Sequence, residues 1–153
     1  MSAFDPDGLP EPLRSLVLRA LDDVDGCGPA IEALERHVER AGGHEARVAL
    51  AVLLFEEAAR LVFSQLVPAA ERALALIDEA VRMGAPETDG LARLRRACGD
   101  ALRDERSRER DLAARVSFGR AEPHEIALLG CRRLQRGDDA LALALFRRAA
   151  EVA

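Results

Sequence analysis

The sequence predicts an all-α protein, and three observations support this. Alanine, leucine, arginine and glutamate, which are strong helix formers, dominate the 153 residues, while aromatic residues make up only 3%. Apolar residues recur at a spacing of three and four over most of the chain, as on one face of a helix. Glycine and proline interrupt this pattern at short intervals, where turns are expected. Together these features predict antiparallel helical hairpins.

The length and composition predict a single all-helical domain over residues 1–153, with a flexible arm at 1–9. A chain of 153 residues has the usual size of one domain and can bury a substantial core. Hydrophobic residues make up 49% of the chain and charged residues 32%, which is typical of a globular protein and not of a disordered one.

Charge, cysteine content and hydropathy exclude several classes of partner. The net charge is −5, and no basic face indicates a nucleic-acid partner. The cysteines at 27, 98 and 131 are odd in number and far apart, which predicts reduced thiols in a cytoplasmic protein. The acidic N-terminus does not resemble a signal peptide. The longest strongly apolar run, 48–55, is too short to span a bilayer, so no membrane association is expected.

Four helices are predicted in the first half of the chain. The first begins near Pro12, and the second covers about 30–41 and ends at a pair of glycines. The third, at about 44–63, is apolar on nearly every side, which places it at the centre of the fold. A turn at 64–67 follows, and Pro68 then lies in the first turn of the fourth helix.

The second half predicts four more helices. Thr88 or Asp89 is expected to cap the fifth, Pro123 opens the seventh and Asp138 the eighth. Residues 103–111 are a run of mixed charges without an apolar anchor. This run is interpreted as a solvated helix or as a loop between two helices, with a docking surface as the alternative. The eight segments pair into four hairpins, whose first helices begin near 11, 45, 88 and 123 and whose second helices begin near 30, 68, 105 and 138.

The last predicted hairpin carries a recognisable pattern. Leu129 and Gly130 form a Leu-Gly pair in its first helix, and Ala142 precedes Phe146 by four positions in its second helix. Gly137 falls at the turn between them. This arrangement resembles the tetratricopeptide repeat, a helical hairpin of about 34 residues. Ile126 and Arg133 depart from the family pattern, because they stand where aromatic residues are usual.

The resemblance implies hairpins stacked in a short right-handed array, and a closed helical bundle is the alternative. In similar repeats the first helix of each hairpin lines a groove that holds a peptide or a partner helix. The corresponding positions here are His124, Ala127, Cys131, Leu134 and Gln135. Members of the family that bind chaperone tails use Lys and Asn to hold a carboxylate, whereas these positions are neutral or apolar. The resemblance therefore implies an adaptor or scaffold that binds an apolar helix or extended segment.

The last helix has more apolar surface than one packing face requires. Its apolar arc approaches about 200°, against about 100° for a typical surface helix. Such a surface predicts a homodimer or a complex with a protein partner, formed through Leu141, Leu143 and Val152.

No catalytic motif was found, so neither an enzymatic activity nor a cofactor or metal is expected. The chain has no phosphate-binding loop, no H-E-x-x-H and no G-x-S-x-G. The alternative hypothesis is a small helical-bundle enzyme, or a carrier of a ligand or metal, with a pocket near His44, Glu56 and Glu57. A carrier should change its melting temperature when it binds a small ligand or a metal, and an adaptor should change it with a protein partner.

Overall fold

The computed structural model describes residues 3–23, 27–40, 42–60 and 66–153, and every regular element in these ranges is a helix. The predicted all-α class is therefore confirmed. A single 3-10 turn at Pro6–Gly8 precedes seven α-helices. Their bounds are α1 Leu13–Asp22, α2 Cys27–Arg40, α3 His44–Arg60, α4 Leu66–Arg82, α5 Asp89–Ser117, α6 Pro123–Gln135 and α7 Asp139–Val152. None of these helices has the length and apolar content needed to cross a membrane.

The chain is organised as two compact units, Met1–Leu102 and Arg103–Ala153, where the sequence predicts a single domain. The boundary falls within α5, which contributes residues to both units. Helices α1 to α4 belong to the first unit, and α6 and α7 belong to the second.

Helix α3 is the centre of the first unit, as its composition predicts. Four closely spaced residues of this helix are 0% exposed: Ala49, Leu50, Ala51 and Leu53. Consecutive helical positions point in directions about 100° apart, so this helix is enclosed on most sides. It packs against α2 and α4. Pro68 lies in the first turn of α4, as expected. Of the turn predicted at 64–67, residues 64 and 65 lie outside the described residues, whereas Leu66 and Val67 already belong to α4.

The predicted flexible arm is corrected for residues 3–9, because they contribute to the core of the first unit. Phe4 and Leu9 are only 6% and 4% exposed. The backbone N–H of Asp5 donates a hydrogen bond of 3.0 Å to Oε2 of Glu45 at the start of α3. Burial of two large side chains compensates for the entropy lost when this short segment is ordered.

The charge run at 103–111 is helical, which confirms one of its two interpretations and excludes the loop, because α5 continues through it to Ser117. Thr88 caps this helix, since its Oγ1 accepts the N–H of Leu91 at 3.1 Å. The separate helix expected to begin near residue 105 is therefore absent, and the described part of the chain contains seven α-helices in place of the predicted eight. The four-hairpin scheme was wrong at this point, although the other seven predicted starts lie within a few residues of the observed ones.

The second unit contains the end of α5 and the hairpin of α6 and α7. Gly137 makes the turn of the hairpin with a φ of 78°, a backbone conformation that favours glycine. A small cluster of buried apolar side chains joins the three helices: Val116, Ile126, Leu129, Leu145 and Ala149. Phe118, directly after α5, does not join this cluster, since its side chain is 77% exposed.

Candidate protein-binding surface

The five residues predicted to line a groove share one face of α6. Ile126, Leu129 and Gly130 are the buried side of this helix. Consecutive positions of an α-helix point about 100° apart around its axis. By this spacing, all five predicted residues fall within one arc of about 100°, which lies beside and opposite the buried side. We call this set the α6 outer strip: His124, Ala127, Cys131, Leu134 and Gln135.

The α6 outer strip is open to solvent along most of its length. His124, Cys131 and Gln135 are exposed, and Leu134 is 51% exposed. Ala127 is half-buried, because it also packs against the core of the second unit. Leu128, at the edge of the strip, is 40% exposed and extends its apolar character. The strip thus combines apolar side chains with neutral polar ones on one side of a single helix.

Ion pairs hold α6 against the end of α5. Nη1 of Arg132 lies 2.5 Å from Oε2 of Glu105. Arg136 binds both oxygens of Glu109, with Nη1 to Oε1 at 3.0 Å and Nη2 to Oε2 at 2.7 Å. Arg133 adds a contact of 3.3 Å to the same carboxylate. Glu109 is only 6% exposed, and such partners compensate for the cost of removing a carboxylate from water.

These ion pairs were missed at the level of the sequence, where the charge run was interpreted as a solvated connector or a docking surface. A signal for them is present, because Glu105 and Glu109 are four residues apart and so are Arg132 and Arg136. Residues four apart share a helix face, so two such pairs match when two helices pack side by side. The pairing also commits three arginines of α6 to acids of α5. These arginines lie outside the α6 outer strip, whose five residues include no arginine.

Close packing holds the other side of α6. A Cβ atom at Gly130 would lie 2.9 Å from Cε1 of Phe146 and 3.1 Å from its Cδ1. Non-bonded carbon atoms do not approach so closely unless one of them is displaced. Glycine at position 130 therefore allows the Phe146 ring of α7 to pack directly on the backbone of α6. Helix α6 is thus fixed by α5 on one side and by α7 on the other, while the outer strip remains uncovered.

The three residues predicted as an oligomer or partner interface are all exposed, but they do not share one face of α7. Leu141, Leu143 and Val152 are 41%, 51% and 55% exposed. At about 100° per residue, Leu143 points about 160° away from Leu141 and about 180° away from Val152. A single partner helix could therefore cover either Leu143 or the other two residues, but not all three.

The pocket of the alternative hypothesis is only partly present. A cavity of about 350 Å³ in the first unit is lined by Ala3, Phe4, Asp5, Pro6, His44, Glu45, Val48, Ala85, Pro86 and Thr88. His44 lies at this cavity, whereas Glu56 and Glu57 are absent from its lining. Twelve residues of α3 separate His44 from Glu56, which is about 18 Å along a helix axis. The three predicted residues therefore do not form one site.

Neither a metal site nor an activated thiol is formed in the described ranges. No three His, Cys, Asp or Glu side chains of these ranges are grouped closely enough to hold a metal ion. Cys131 and His124 share the outer strip, but seven residues separate them, or about 10 Å along the axis, which is too far for proton transfer. Cys27 and Cys98 are buried, and burial raises the pKa of Cys98 to about 11. Cys131 is therefore the exposed thiol among the three.

Comparison of the chain with family models, with curated proteins and with solved structures found no match.

Proposed function

We propose that this protein is a non-enzymatic adaptor or scaffold that binds another protein through the α6 outer strip. The supporting observation is the combination of an uncovered strip with a firmly held helix. Leu134 is half-exposed and Cys131 is exposed, while ion pairs and the Gly130–Phe146 contact fix the same helix on its other sides. A surface that is already rigid loses little conformational entropy when a partner binds, so a modest apolar contact is sufficient.

The chemistry of the strip selects the kind of partner. A neutral strip with a central half-exposed leucine is complementary to an apolar helix face or an extended apolar segment. An acidic peptide is a poor fit, because Arg132, Arg133 and Arg136 are paired with the acids of α5. The tetratricopeptide-like pattern of the hairpin supports the same interpretation, since the first helix of such a hairpin faces the ligand.

A ligand-carrier function is the second candidate, because the cavity beside His44 has a volume of about 350 Å³. This value is at the lower end for sites that bind small molecules. The melting temperature of the protein, measured with a library of small apolar compounds, tests this candidate. A rise that is abolished by His44→Ala or Val48→Phe would support a ligand site, and no rise with any compound would count against it.

Cys131 offers a direct test of the adaptor hypothesis, because it is exposed on the strip while the other two cysteines are buried. A thiol-reactive photo-cross-linker can therefore be attached to Cys131 in the native protein. We expect illumination in an extract to join the protein to a discrete partner. Leu134→Glu should abolish that product, because a charge then faces an apolar surface.

A matched control moves the cross-linker to the first unit. The Cys131→Ser, Leu18→Cys variant places the reactive thiol at a position that is 43% exposed in the parent protein and far from the strip in sequence. The adaptor hypothesis requires a product that forms from Cys131 and not from the thiol introduced at position 18. Equal products from both positions, or a product that survives Leu134→Glu, would contradict binding at the α6 outer strip.

A further inference from the structure

An exposed ridge with a regular charge pattern runs along α7. Asp139, Leu143 and Arg147 are spaced by four residues, so they lie on one line along the surface of the helix. Asp139 and Arg147 are exposed, and Leu143 is 51% exposed. We call these three residues the α7 ridge. It is separate from Leu141 and Val152, which point to the opposite side of the same helix.

The charge pattern of the α7 ridge is complementary to itself. The acid and the base stand at equal distances on either side of the leucine, about 6 Å along the axis in each direction. When a second α7 lies antiparallel on the first with Leu143 at the centre, each Arg147 meets the Asp139 of the other copy. The two leucines then meet on a two-fold axis, and two equivalent ion pairs flank them.

We infer that the α7 ridge is a homodimerisation surface, and that its occupant is the same ridge of a second copy of this chain. Charge complementarity selects this occupant. Within the described residues, neither Asp139 nor Arg147 has an ion-pair partner, so both charges are available to a second copy. A partner of a different sequence would need the reverse order of charges at the same spacing, and an antiparallel copy has that order by symmetry.

The side chains around Leu143 permit close approach of two helices. Ala140 and Ala150 border the ridge and are exposed, and Phe146 beside them is half-buried. Rows of residues spaced by four can pack against the same rows of another helix at a crossing angle of about 50°, the commonest arrangement in globular proteins. The contact is small, so we expect a dimer that dissociates in the micromolar range and not a permanent one.

This inference goes beyond the proposed adaptor function, because it concerns a different helix and a different partner. Cross-linking at Cys131 reports on the α6 outer strip, whereas the oligomeric state reports on the α7 ridge. The two proposals can therefore fail independently.

Sedimentation velocity on the full chain across the micromolar range tests the dimer. The parent protein should change from monomer to dimer as its concentration rises. Leu143→Glu should remain monomeric at every concentration, because two like charges would meet on the axis. Leu141→Glu is the matched control, with the same substitution on the same helix two residues away, and it should dimerise like the parent. Circular dichroism should show unchanged helix content in both variants.

A charge exchange tests the antiparallel register. Arg147→Asp and Asp139→Arg should each weaken the dimer, by up to about 25-fold, because the symmetry removes two exposed ion pairs of up to about fivefold each. The double variant Asp139→Arg, Arg147→Asp restores opposite charges across the axis, so it should recover most of the lost affinity. A parent that stays monomeric, a dimer that Leu141→Glu and Leu143→Glu weaken equally, or a double variant as weak as the single ones would overturn the inference.

Discussion

At the scale of single residues, Gly130 decides how closely the last two helices pack. Gly130→Leu should destabilise the protein by roughly 1–3 kcal/mol, because the new side chain must displace the ring of Phe146. Gly130→Ala should change the free energy of unfolding by less than about 1 kcal/mol. The gain in helix propensity, about 0.8–1 kcal/mol, offsets the small shift of a half-buried ring. Urea denaturation measures both values, and a leucine variant as stable as the parent would contradict this packing.

The ionisation of Cys98 should make the stability of the protein depend on pH, and the amino-acid composition makes this contribution easy to isolate. Burial raises the pKa of this thiol from 9.0 to about 11 in the folded protein. The thiol therefore ionises more readily when the chain is unfolded, so its contribution to stability is complete below pH 9 and is lost as the pH rises to about 11. The chain contains neither lysine nor tyrosine, whose side chains would titrate in the same interval.

The free energy of unfolding, measured at intervals between pH 8 and 11, should fall more steeply for the parent than for Cys98→Ala. Alanine is a suitable replacement because it is small, apolar and not ionisable. Parallel curves for the two proteins would show that Cys98 does not carry this alkaline sensitivity.

At the scale of helices, α3 should dominate the stability of the first unit. Leu50 is 0% exposed, so Leu50→Ala should cost roughly 2–5 kcal/mol through lost burial and the cavity that remains. Leu54, one turn later on the helix, is only partly buried and should cost less. Thermal and urea denaturation of the two variants measure this difference. If both variants melt within a degree of the parent, α3 is not the centre of the core.

The contact between α5 and α6 should depend on Glu109. Glu109→Ala leaves Arg133 and Arg136 without their carboxylate, and we expect a loss of roughly 1–3 kcal/mol. This range is below the full cost for a buried pair, because the arginine side chains are 27% and 43% exposed. Asp104→Ala is the control, since Asp104 lies exposed in the same charge run. Urea is the appropriate denaturant, because it does not screen charges, and an equal effect of both substitutions would contradict a structural role for Glu109.

At the scale of the whole molecule, the two units should differ in local stability. The apolar core of the second unit contains five buried residues. The apolar core of the first unit is the larger cluster around α3. Local opening requires less free energy where fewer apolar contacts are broken. Amide hydrogen exchange followed by mass spectrometry should therefore show faster exchange in α6 and α7 than in α3. Equal protection of all these helices would indicate that the chain opens only as one cooperative unit.

Local patterns predicted most of the helices because their causes lie close together in the sequence. The composition favours helix, Pro68 and Pro123 stand in first turns, Thr88 caps α5 and Gly137 makes the last turn. The flexible arm expected at 1–9 and the ion pairs missed at 103–111 have the opposite origin. Phe4 becomes ordered because it reaches a distant apolar core, and Glu109 is buried because arginines about 27 residues away neutralise it. The hydrophobic periodicity close to either segment does not predict such a long-range contact.

The candidate surfaces also combine features that the sequence determined with features that only the tertiary structure decided. By itself the sequence determined the helical class, the central position of α3 and which residues of α6 share one face, because composition and helical spacing fix these features. Only the tertiary structure decided that the charge run of α5 binds the arginines of α6. Helical spacing alone places Leu143 on the side of α7 opposite Leu141 and Val152. The tertiary structure decided that the packing of α7 leaves all three of these side chains exposed.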